Sequence, residues 1–356
     1  MITASQNNTS MMQTGPAFRD ARIAVVMVNY NLADFLGGQF KAIAQAGRGA
    51  AEFQIYVADN TDLGDDYDKL LSAAQDLPVT IIKSPRNGGF AYGNNMCLRA
   101  LRWITTGESS EQQDWPDYVF FLNPDTEIFP ETISSLANFL HATPDAGIAG
   151  AKIIDIDGVA QASAFNDPSF KTAFFGSMKL AAVDRLVPEG VIHQPEMPLP
   201  KKVDWVTGAA FMLTQATLEK VGLMDQGYFL YFEEVDYMRE ARSAGFDIWH
   251  VPAARAIHLE GAATGLGSAN AEKVAKKALP AYWYQSWLRY HLKYYGRIGT
   301  IARALGQLSG NSIQIVHHGL RGKSTDLPKR ALRDFAGKCL WGAVSTPMPK
   351  KDIGDG

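Results

Sequence analysis

Hydrophobic and polar residues alternate in a regular order through the first 145 residues. Apolar runs rich in β-branched and aromatic residues, each ending in polar residues, predict buried strands. They span Ala21 to Asn31, Glu52 to Asn60, Val79 to Ser84 and Asp117 to Ile128. Helical patterns lie between them over 34–47 and 65–76. A third helix follows the glycine-rich loop "PRNGGFAYGNN" and continues to about Thr105, and a fourth covers 130–141 with Pro130 at the first helical position. The alternation predicts βαβ units, and therefore an α/β fold with a mainly parallel sheet flanked by helices.

The pattern becomes less regular after Gly147. "GIAGAKIID", "VDWVTGAAFMLT" and "FDIWHV" predict further strands, and "QATLEKVG" predicts a short helix closed by Gly222. Residues 165–202 contain several prolines and show no periodicity, so we expect a mobile loop or hairpin that covers one face of the site. "IHLEGAATGLGS" reads as a loop, and the chain beyond it reads as helical.

Composition narrows the class of protein. The chain has 356 residues, a formal net charge of −3 and two cysteines, Cys97 and Cys339, which argues against a nucleic-acid binder, a disulfide framework and a zinc cluster. Residues 1–20 lack the order of a signal peptide and are expected to form a disordered tail. No run of residues is long and apolar enough to span a bilayer, so we expect a soluble or membrane-surface protein of a reducing cytosol. A dinucleotide fingerprint, a P-loop and the common zinc-protease and serine-hydrolase motifs are missing from the sequence.

Polar residues at the predicted strand ends indicate where a ligand would bind. In open α/β sheets the ligand lies beyond the carboxyl ends of the strands. Asp59 fits a contact to a base or ribose, but an Asp-Asn turn explains it equally simply. The loop "NGGFAYGNN" fits either an anion-binding helix start or an ordinary strand-to-helix turn. Asp125 and Glu127 fit a divalent cation on a diphosphate, or a helix start made acidic by its dipole.

The stretch "FLYFEEVDYMREARSAGF" places three acids directly after four apolar residues, three of them aromatic. We predict a helix that begins at Glu233 or Glu234 and ends at Gly245, with Asp236 paired to Arg239 three residues later. The acids are explained either by the helix dipole or by a carboxylate held in a partly dry pocket for catalysis.

Six segments in order resemble the motifs of family 2 glycosyltransferases, which are inverting enzymes of the GT-A fold. They are "VVMVNYN", "VADN", "NGGFAYGNN", "FFLNPDTEI", "WVTGAAFML" and the acidic stretch above with a later histidine. The similarity covers about Ala21 to Gly265 and is greatest to the bacterial rhamnosyltransferase-like branch. It implies a Rossmann-like, mainly parallel sheet with a helical C-terminal extension.

The resemblance also implies roles for individual residues. Glu234, the second acid of its pair, would be the general base, with Glu in place of the usual Asp. The residues implied in donor binding are Asn29, Tyr30, Asp59, Asn87, Gly88, Gly89, Asn94, Asn95 and Asn123. Those implied in the sugar or acceptor pocket are Trp205, Gly208, Ala209, Glu233 and Asp236. Those implied in binding Mg²⁺ or Mn²⁺ are Asp125, Glu127 and His258.

This sequence departs from the family pattern at two places. The metal motif reads Asn-Pro-Asp, which makes metal dependence an open question. Tyr92 and Cys97 stand where small residues are common in the phosphate loop, which leaves its packing open as well.

The segment from Lys273 to Arg303 contains seven basic residues, seven Trp and Tyr residues and no acid. It predicts a membrane-surface helix, a dimer face or a helix packed on the catalytic domain. We thus expect a tail at 1–20, a catalytic domain at 21–265 and a helical extension at 266–356.

The expected activity is transfer of a sugar, first rhamnose from dTDP-rhamnose and next a UDP-linked sugar, to a saccharide hydroxyl in cell-surface polysaccharide assembly. A polyprenyl-diphosphate-linked acceptor, a cytoplasmic location with peripheral contact to the inner membrane face, and a homodimer are the expected partners and setting. The alternative is a non-catalytic nucleotide-sugar-binding protein of the same fold.

Overall fold

The structure is a computed structural model that describes residues 15–105, 115–194, 197–259, 278–325 and 327–354. In the first half, strands and helices alternate in the order β1 Arg22–Asn29, α1 Ala33–Ala46, β2 Glu52–Asp59, α2 Asp66–Ala73, β3 Val79–Lys83, α3 Phe90–Thr105, β4 Tyr118–Leu122, β5 Thr126–Ile128 and α4 Thr132–Ala142. The second half contains β6 Ala146–Ile154, β7 Ala164–Phe165, α5 Ala181–Leu186, β8 Lys201–Val203, β9 Trp205–Val206, β10 Ala210–Thr214, α6 Gln215–Val221, α7 Glu233–Ser243 and β11 Asp247–His258. The C-terminal region is helical, with α8 Ala281–Leu320, α9 Ala331–Phe335 and α10 Gly342–Ser345.

One large sheet runs in the order β3-β2-β1-β4-β10-β6-β11-β5, with β8 paired to β11. Strands β3, β2, β1 and β4 are parallel, and so are β6 and β11. Strand β10 lies antiparallel between β4 and β6, and β5 lies antiparallel at the edge on β11. The predicted α/β class, with its mostly parallel sheet and helical extension, is therefore confirmed.

The run from Asp117 to Ile128 was expected to be one strand, and this is wrong. The chain turns after Leu122, where the Thr126 amide donates to the Asn123 carbonyl at 3.2 Å. Residues 126–128 then pair with β11 instead of continuing beside β10. The turn places Asp125 at the junction of the two strands.

Two other regions also differ from the sequence pattern. The predicted single strand over "VDWVTGAAFMLT" is divided into β8, β9 and β10, because residues 207–209 turn toward the site. Residues 165–202, which were expected to form a loop or hairpin, contain a π-helical turn at Thr172–Gly176 and helix α5. The π-helical turn packs against α8, so these residues are held by tertiary contacts that the local sequence does not reveal.

Hydrophobic cores cover both faces of the sheet. Helices α1, α2 and α4 bury one face, with Leu36, Phe40 and Leu136 fully enclosed. Helices α3, α6 and α7 bury the other, to which α8 contributes Tyr290. The carboxyl ends of β1, β2 and β4 are left between these layers, at the edge where ligands bind in folds of this type.

The aromatic and basic segment of the C-terminal region packs on the catalytic domain over its described part. Tyr284, Trp287 and Tyr290 are buried, and the Ser286 hydroxyl donates to the Leu230 carbonyl at 2.9 Å. The described part of this segment is therefore a helix packed on the catalytic domain, and contact with a membrane or with a second copy stays a prediction. Residues 273–277, with three of its lysines, lie outside the described residues.

The first described residues pack on the domain. Residues 15–20, which the sequence placed in the tail, contact the domain, since the Tyr118 hydroxyl donates to the Pro16 carbonyl at 2.7 Å. Residues 1–14 lie outside the described part, as does the expected domain boundary at 265/266. Among the helices of the described ranges, none combines the length and apolarity needed to cross a bilayer.

Candidate active site

A buried network of polar side chains links the ends of β1 and β2. The Asn29 amide donates to the Asp59 carboxylate at 2.8 Å and to the Asp66 carboxylate at 2.9 Å. Thr61 joins both, donating from its backbone amide to Asp59 and accepting from Asn29. The structure thus brings Asn29 and Asp59 together, as the predicted nucleoside pocket requires, and leaves Tyr30 partly exposed beside them.

Asp66 and Thr61 were not identified from the sequence. Thr61 lies in a short polar loop, and Asp66 lies in the predicted helix over 65–76, where an acid in the first turn is ordinary. Only the pairing of β1 with β2 places Asn29 beside this loop, so no local signal could have selected them.

The glycine-rich loop packs directly on the segment before α7. Gly89 has φ +87°, and a Cβ at this position would lie 1.9 Å from the Phe229 carbonyl oxygen. That carbonyl accepts a hydrogen bond of 3.0 Å from the Phe90 amide, and the Asn60 amide donates to the Gly89 carbonyl at 2.9 Å. Only glycine fits both the backbone conformation and the contact, so Gly89 joins the strand ends to α7.

The other predicted loop residues divide into two groups. Asn87 and Gly88 lie in the loop, where the Asn87 side chain accepts from the Gly89 amide at 3.1 Å. Asn94 and Asn95 lie inside α3 and are buried. The Asn95 amide exchanges two hydrogen bonds with the Met224 backbone, so its observed role is to hold α3 in the fold rather than to present a donor contact.

The two unusual residues of this region are accommodated without distortion. Tyr92 packs its ring where a Cβ on Gly88 would lie, 2.3 Å from the nearest ring atom. Cys97 is buried, and its thiol donates to the Met27 carbonyl at 3.6 Å. Burial raises the pKa of this thiol to about 12, which makes it an inert packing residue.

Asp125 and His258 meet at the turn between β4 and β5. The Asp125 carboxylate is 6% exposed and lies 3.2 Å from His258 Nε2. The Leu259 amide donates to the Asp125 carbonyl at 3.0 Å, which ties the end of β11 to the turn. Glu127 lies two residues along β5, opposite Ile257. Within the described ranges, no three His, Cys, Asp or Glu side chains form a group able to hold a metal, so Glu127 does not complete a cluster with the other two.

The backbone before α7 is held in an uncommon conformation. Tyr231 and Phe232 have φ values of +71° and +70°, in the left-handed region that non-glycine residues rarely adopt. The Phe232 ring contacts Trp283 and Tyr290 of α8, which stabilise it there. Strain of this kind costs of the order of 1–3 kcal/mol per residue and is concentrated at functional sites.

The carboxylates of Glu233 and Glu234 follow this strained segment at the start of α7, as predicted. Burial raises the pKa of Glu233 well above its usual range, and the adjacent Glu234 carboxylate raises it further. Burial also raises the pKa of Glu234. Each carboxylate has one oxygen that is shielded from solvent and has no hydrogen-bond partner among the described residues. A carboxylate in such a position can accept a proton from a bound hydroxyl.

Residues 205–209 link this helix to the metal motif. The Glu234 side chain lies 3.7 Å from where a Gly208 Cβ would stand, and the Ala209 carbonyl accepts from the Asn123 amide at 2.9 Å. The Trp205 ring instead stacks on Phe165 with centroids 3.9 Å apart, and it is 9% exposed. Gly208 and Ala209 therefore connect Glu234 of α7 with the segment at Asn123. Trp205 packs against Phe165 instead and does not contribute to this connection.

Asp236, which was predicted for the acceptor pocket, bonds to side chains of other segments. It is 1% exposed, accepts from the Tyr228 hydroxyl at 3.1 Å and pairs with Lys293 at 2.7 Å. Its predicted pairing with Arg239 is wrong, since Arg239 bonds to the hydroxyls of Tyr290 and Tyr295. Asp236 therefore anchors α7 to α8.

A larger ion cluster extends this anchor. Lys293 also binds Glu240 at 2.8 Å, and Lys351 binds the same carboxylate at 2.6 Å. Asp225, fully buried at its side chain, pairs with Arg289 at 2.7 Å. No local pattern in the sequence indicates these pairs, because their partners are separated by more than 50 residues.

The amino-acid sequence is similar to a known protein family and to several named glycosyltransferases. Residues 24–164 match the family model described as "Glycosyl transferase family 2". The low-salt glycan biosynthesis hexosyltransferase Agl10 of Haloferax volcanii is 25% identical over 236 residues, covering 66% of each chain. The N-acetylglucosaminyl-diphospho-decaprenol L-rhamnosyltransferase of Mycobacterium tuberculosis is 26% identical over 232 residues, covering 62% of this chain and 75% of that protein. The rhamnosyltransferase WbbL of Escherichia coli is 25% identical, covering 48% of this chain and 60% of that protein.

Solved structures share the fold at low sequence identity. The mannosyltransferase PcManGT from Pyrobaculum calidifontis, solved with GDP-Man and Mn²⁺, has a TM-score of 0.51 and 12% identity, covering 94% of this chain and 90% of its own. GalNAc-T7, solved with UDP, GalNAc and Mn²⁺, has a TM-score of 0.51 and 14% identity, covering 93% and 59% respectively.

Proposed function

The chain contains a glycosyltransferase family 2 domain and is a glycosyltransferase, and we propose that it transfers a hexose with inversion from a nucleoside-diphosphate sugar to a saccharide hydroxyl. The observation that carries the proposal is the pair Glu233 and Glu234. These carboxylates stand at the start of a helix and have raised pKa values; Glu234 lies beside Gly208, and the segment just before the helix contacts Gly89.

Glu234 is proposed as the general base. It takes the proton of the acceptor hydroxyl while that oxygen attacks the anomeric carbon from the face opposite the leaving group. The bond from the anomeric carbon to the diphosphate oxygen breaks with its electron pair, and the nucleoside diphosphate leaves as an anion. The raised pKa suits this role, because a base is most effective when its pKa is close to the working pH.

The strand ends are proposed to bind the donor. Asp59, held by Asn29, lies where it can accept hydrogen bonds from the base or ribose. The loop at Asn87, Gly88 and Gly89 lies between this network and α7, so a diphosphate along it would bring the anomeric carbon toward Glu234. Tyr30 has enough exposed ring to stack on a base.

Asp125 and His258 fit a divalent cation on the diphosphate. A hard cation in such a site needs one or two protein ligands plus phosphate oxygens, and these side chains already lie within 3.2 Å of each other. Asn123 adds a buried side-chain oxygen without a partner in the described ranges. Mg²⁺ or Mn²⁺ bound here would stabilise the negative charge of the leaving diphosphate.

The proposed donor and acceptor rest on the similarity to the named relatives. Two of them are rhamnosyltransferases, and one of these is named for a decaprenol-diphosphate-linked acceptor. We therefore propose dTDP-rhamnose first and a UDP-sugar second, a polyprenyl-diphosphate-linked saccharide as acceptor, and a role in cell-surface polysaccharide assembly at the cytoplasmic membrane face.

Calorimetric titration with dTDP, UDP and GDP, each with and without Mn²⁺, tests the donor class. We expect one nucleotide to bind in a metal-dependent way, and Asp125→Ala to abolish that dependence. A metal-independent affinity that Asp125→Ala leaves unchanged would remove Asp125 from the site. Binding of UDP or GDP in preference to dTDP would exclude dTDP-rhamnose.

Glu234→Gln tests the base. We expect turnover to fall about 10²- to 10⁴-fold with donor affinity unchanged, because the variant keeps the shape of the side chain and loses only the proton acceptor. Glu189→Gln, at an exposed glutamate paired with Lys171, is the matched control and should keep full activity. Unchanged turnover in Glu234→Gln would exclude Glu234 as the base.

A further inference from the structure

The second half of α8 exposes several apolar side chains along one face, with the exposed serines Ser309 and Ser312 between Leu305 and Ile313. Helix α8 changes direction at Gly296, which has φ +62°, and the stripe begins just after it. Its members, which we call the apolar stripe, are between 39% and 86% exposed: Ile298, Leu305, Ile313, Val316 and Leu320. At 100° per residue they lie within about 80° of one another around the helix, and at 1.5 Å per residue they extend over about 33 Å.

The face opposite the apolar stripe is the one that packs on the protein. Thr300, Gly310, Asn311 and Gln314 are buried there. The approach is close, since a Cβ on Gly310 would lie 1.9 Å from the Ser177 hydroxyl. The stripe is therefore not an incompletely packed core face. It is a second apolar surface on a helix whose packing contacts lie on the other side.

Two further exposed apolar residues lie near the start of the stripe, Val344 in α10 and Trp341 immediately before it. The Arg297 guanidinium donates to the carbonyls of Ala343 and Val344, which fixes α10 beside the start of the stripe. Trp341 and Val344 are 69% and 56% exposed there. Exposed tryptophan is typical of the interface between water and lipid.

The surroundings of the stripe are strongly basic. Residues 297–338 contain eight Lys and Arg and two Asp, although the whole chain has a net charge of −3. Six of the basic residues follow the C-terminal end of α8 within the described part: Arg321, Lys323, Lys329, Arg330, Arg333 and Lys338. Positive charge is thus concentrated in the part of the sequence that contains the apolar stripe.

We propose that the apolar stripe, with the basic residues that flank it, binds the surface of an anionic lipid bilayer. Apolar side chains that enter the headgroup boundary and basic side chains that contact anionic headgroups are the two components of interfacial helix binding. A second copy of this chain is the less suitable occupant, because joining two such surfaces would bring their positive charges together. The helix would lie flat on the membrane.

The placement has a consequence for the acceptor, and here the inference rests on the proposed function. The first half of the same helix contacts α7 through Lys293 and Asp236. A bilayer on the second half would therefore lie beside the domain that holds Glu234. A lipid-linked saccharide could then reach the site without leaving its membrane.

Sedimentation of the purified chain with vesicles tests the proposal without using the enzymatic reaction. We expect binding to vesicles of phosphatidylglycerol and phosphatidylcholine, at least tenfold weaker binding to phosphatidylcholine alone, and weakening by salt. Leu305→Glu with Val316→Glu should reduce binding tenfold or more. Leu63→Glu with Ile156→Glu, at exposed apolar positions elsewhere, is the matched control and should bind as the unchanged chain does.

The unfavourable outcomes are equally specific. Absence of vesicle binding, or a Leu305/Val316 variant that binds normally, would overturn the proposal. Sedimentation velocity that shows a dimer dissociated by the same two substitutions would assign the stripe to a second copy instead. Donor titration is measured separately in solution, so a failure of the membrane proposal is distinguishable from a failure of the proposed function.

Discussion

Replacing Lys293 with methionine should destabilise the protein through the ion cluster that holds α7. The Lys293 side chain is 14% exposed, and it lies 2.7 Å from the Asp236 carboxylate, which is 1% exposed. Methionine keeps most of the side-chain volume but leaves Asp236 as a buried charge without its counter-ion. Removal of one partner of a buried pair costs about 3–5 kcal/mol. The matched control, Lys171→Met, breaks an exposed pair with Glu189 and should leave the free energy of unfolding almost unchanged, because solvent screens such a pair.

The loss should also depend on pH in a defined direction. Burial raises the pKa of Asp236, and Lys293 opposes that shift. Without Lys293 the folded-state pKa rises further above the unfolded value, so the folded variant takes up a proton on Asp236 as the pH falls. The penalty is therefore fully present above the folded-state pKa and becomes smaller below it.

Urea unfolding of both variants between pH 8 and pH 5 measures the magnitude and its pH dependence. With a slope of about 3 kcal/mol per molar urea, the Lys293 variant should unfold roughly 1 M earlier at pH 8. The difference should narrow toward pH 5, and Asp236→Asn added to Lys293→Met should recover part of it. A loss equal to that of the control, or one that does not change with pH, would refute the assignment of Lys293 as the counter-ion of a buried carboxylate.

Two further substitutions test the active site. Glu233→Gln replaces a carboxyl whose pKa is raised well above its usual range by burial and by the Glu234 carboxylate, so Glu233 is already neutral when Glu234 titrates. The acid limb of the kcat/KM–pH profile should therefore stay in place, and a limb that moves to lower pH would show that Glu233 carries a negative charge beside the base. Gly89→Ala should abolish nucleotide binding measured by calorimetry and lower stability by more than about 2 kcal/mol, because its Cβ would overlap the Phe229 carbonyl. Gly64→Ala, at φ +117° with no atom within 4 Å of its Cβ, should cost only about 1 kcal/mol, and an equal effect of both would contradict the close-contact argument.

The sequence was sufficient to predict the features that depend on local pattern. The apolar runs that became β1, β2 and β3 were located within about two residues, because their composition and their polar ends both mark them. The start of α7 at Glu233 was also predicted, as was its end near Gly245, which has φ +101°. The positions of Asn29 and Asp59 at neighbouring strand ends followed from parallel pairing alone.

The features that depend on distant partners could not be predicted. The chain turns between β4 and β5 at Asp125 because β5 pairs with β11, which lies more than 120 residues later in the sequence. Arg239 has the right spacing for Asp236, but the tyrosines of α8 surround its guanidinium. The aromatic and basic segment of α8 has the composition of a membrane-surface helix. Only the fold shows which of its side chains pack against the rest of the protein.

The four residues Glu233 to Asp236 show how one short segment serves two purposes. Because successive residues of a helix differ by about 100°, a first turn cannot direct three acids at one pocket. Glu233 and Glu234 stay beside the strained backbone and Gly208, where their pKa values are raised. Around the helix Asp236 lies about 160° from Glu234 but only about 60° from Glu233. What distinguishes Asp236 is its partner, since it pairs with Lys293 of α8. The pair of Asp236 with Lys293 holds α7 in the orientation that Glu233 and Glu234 need. Replacing Lys293 should therefore also lower the rate of sugar transfer, because it would displace Glu234.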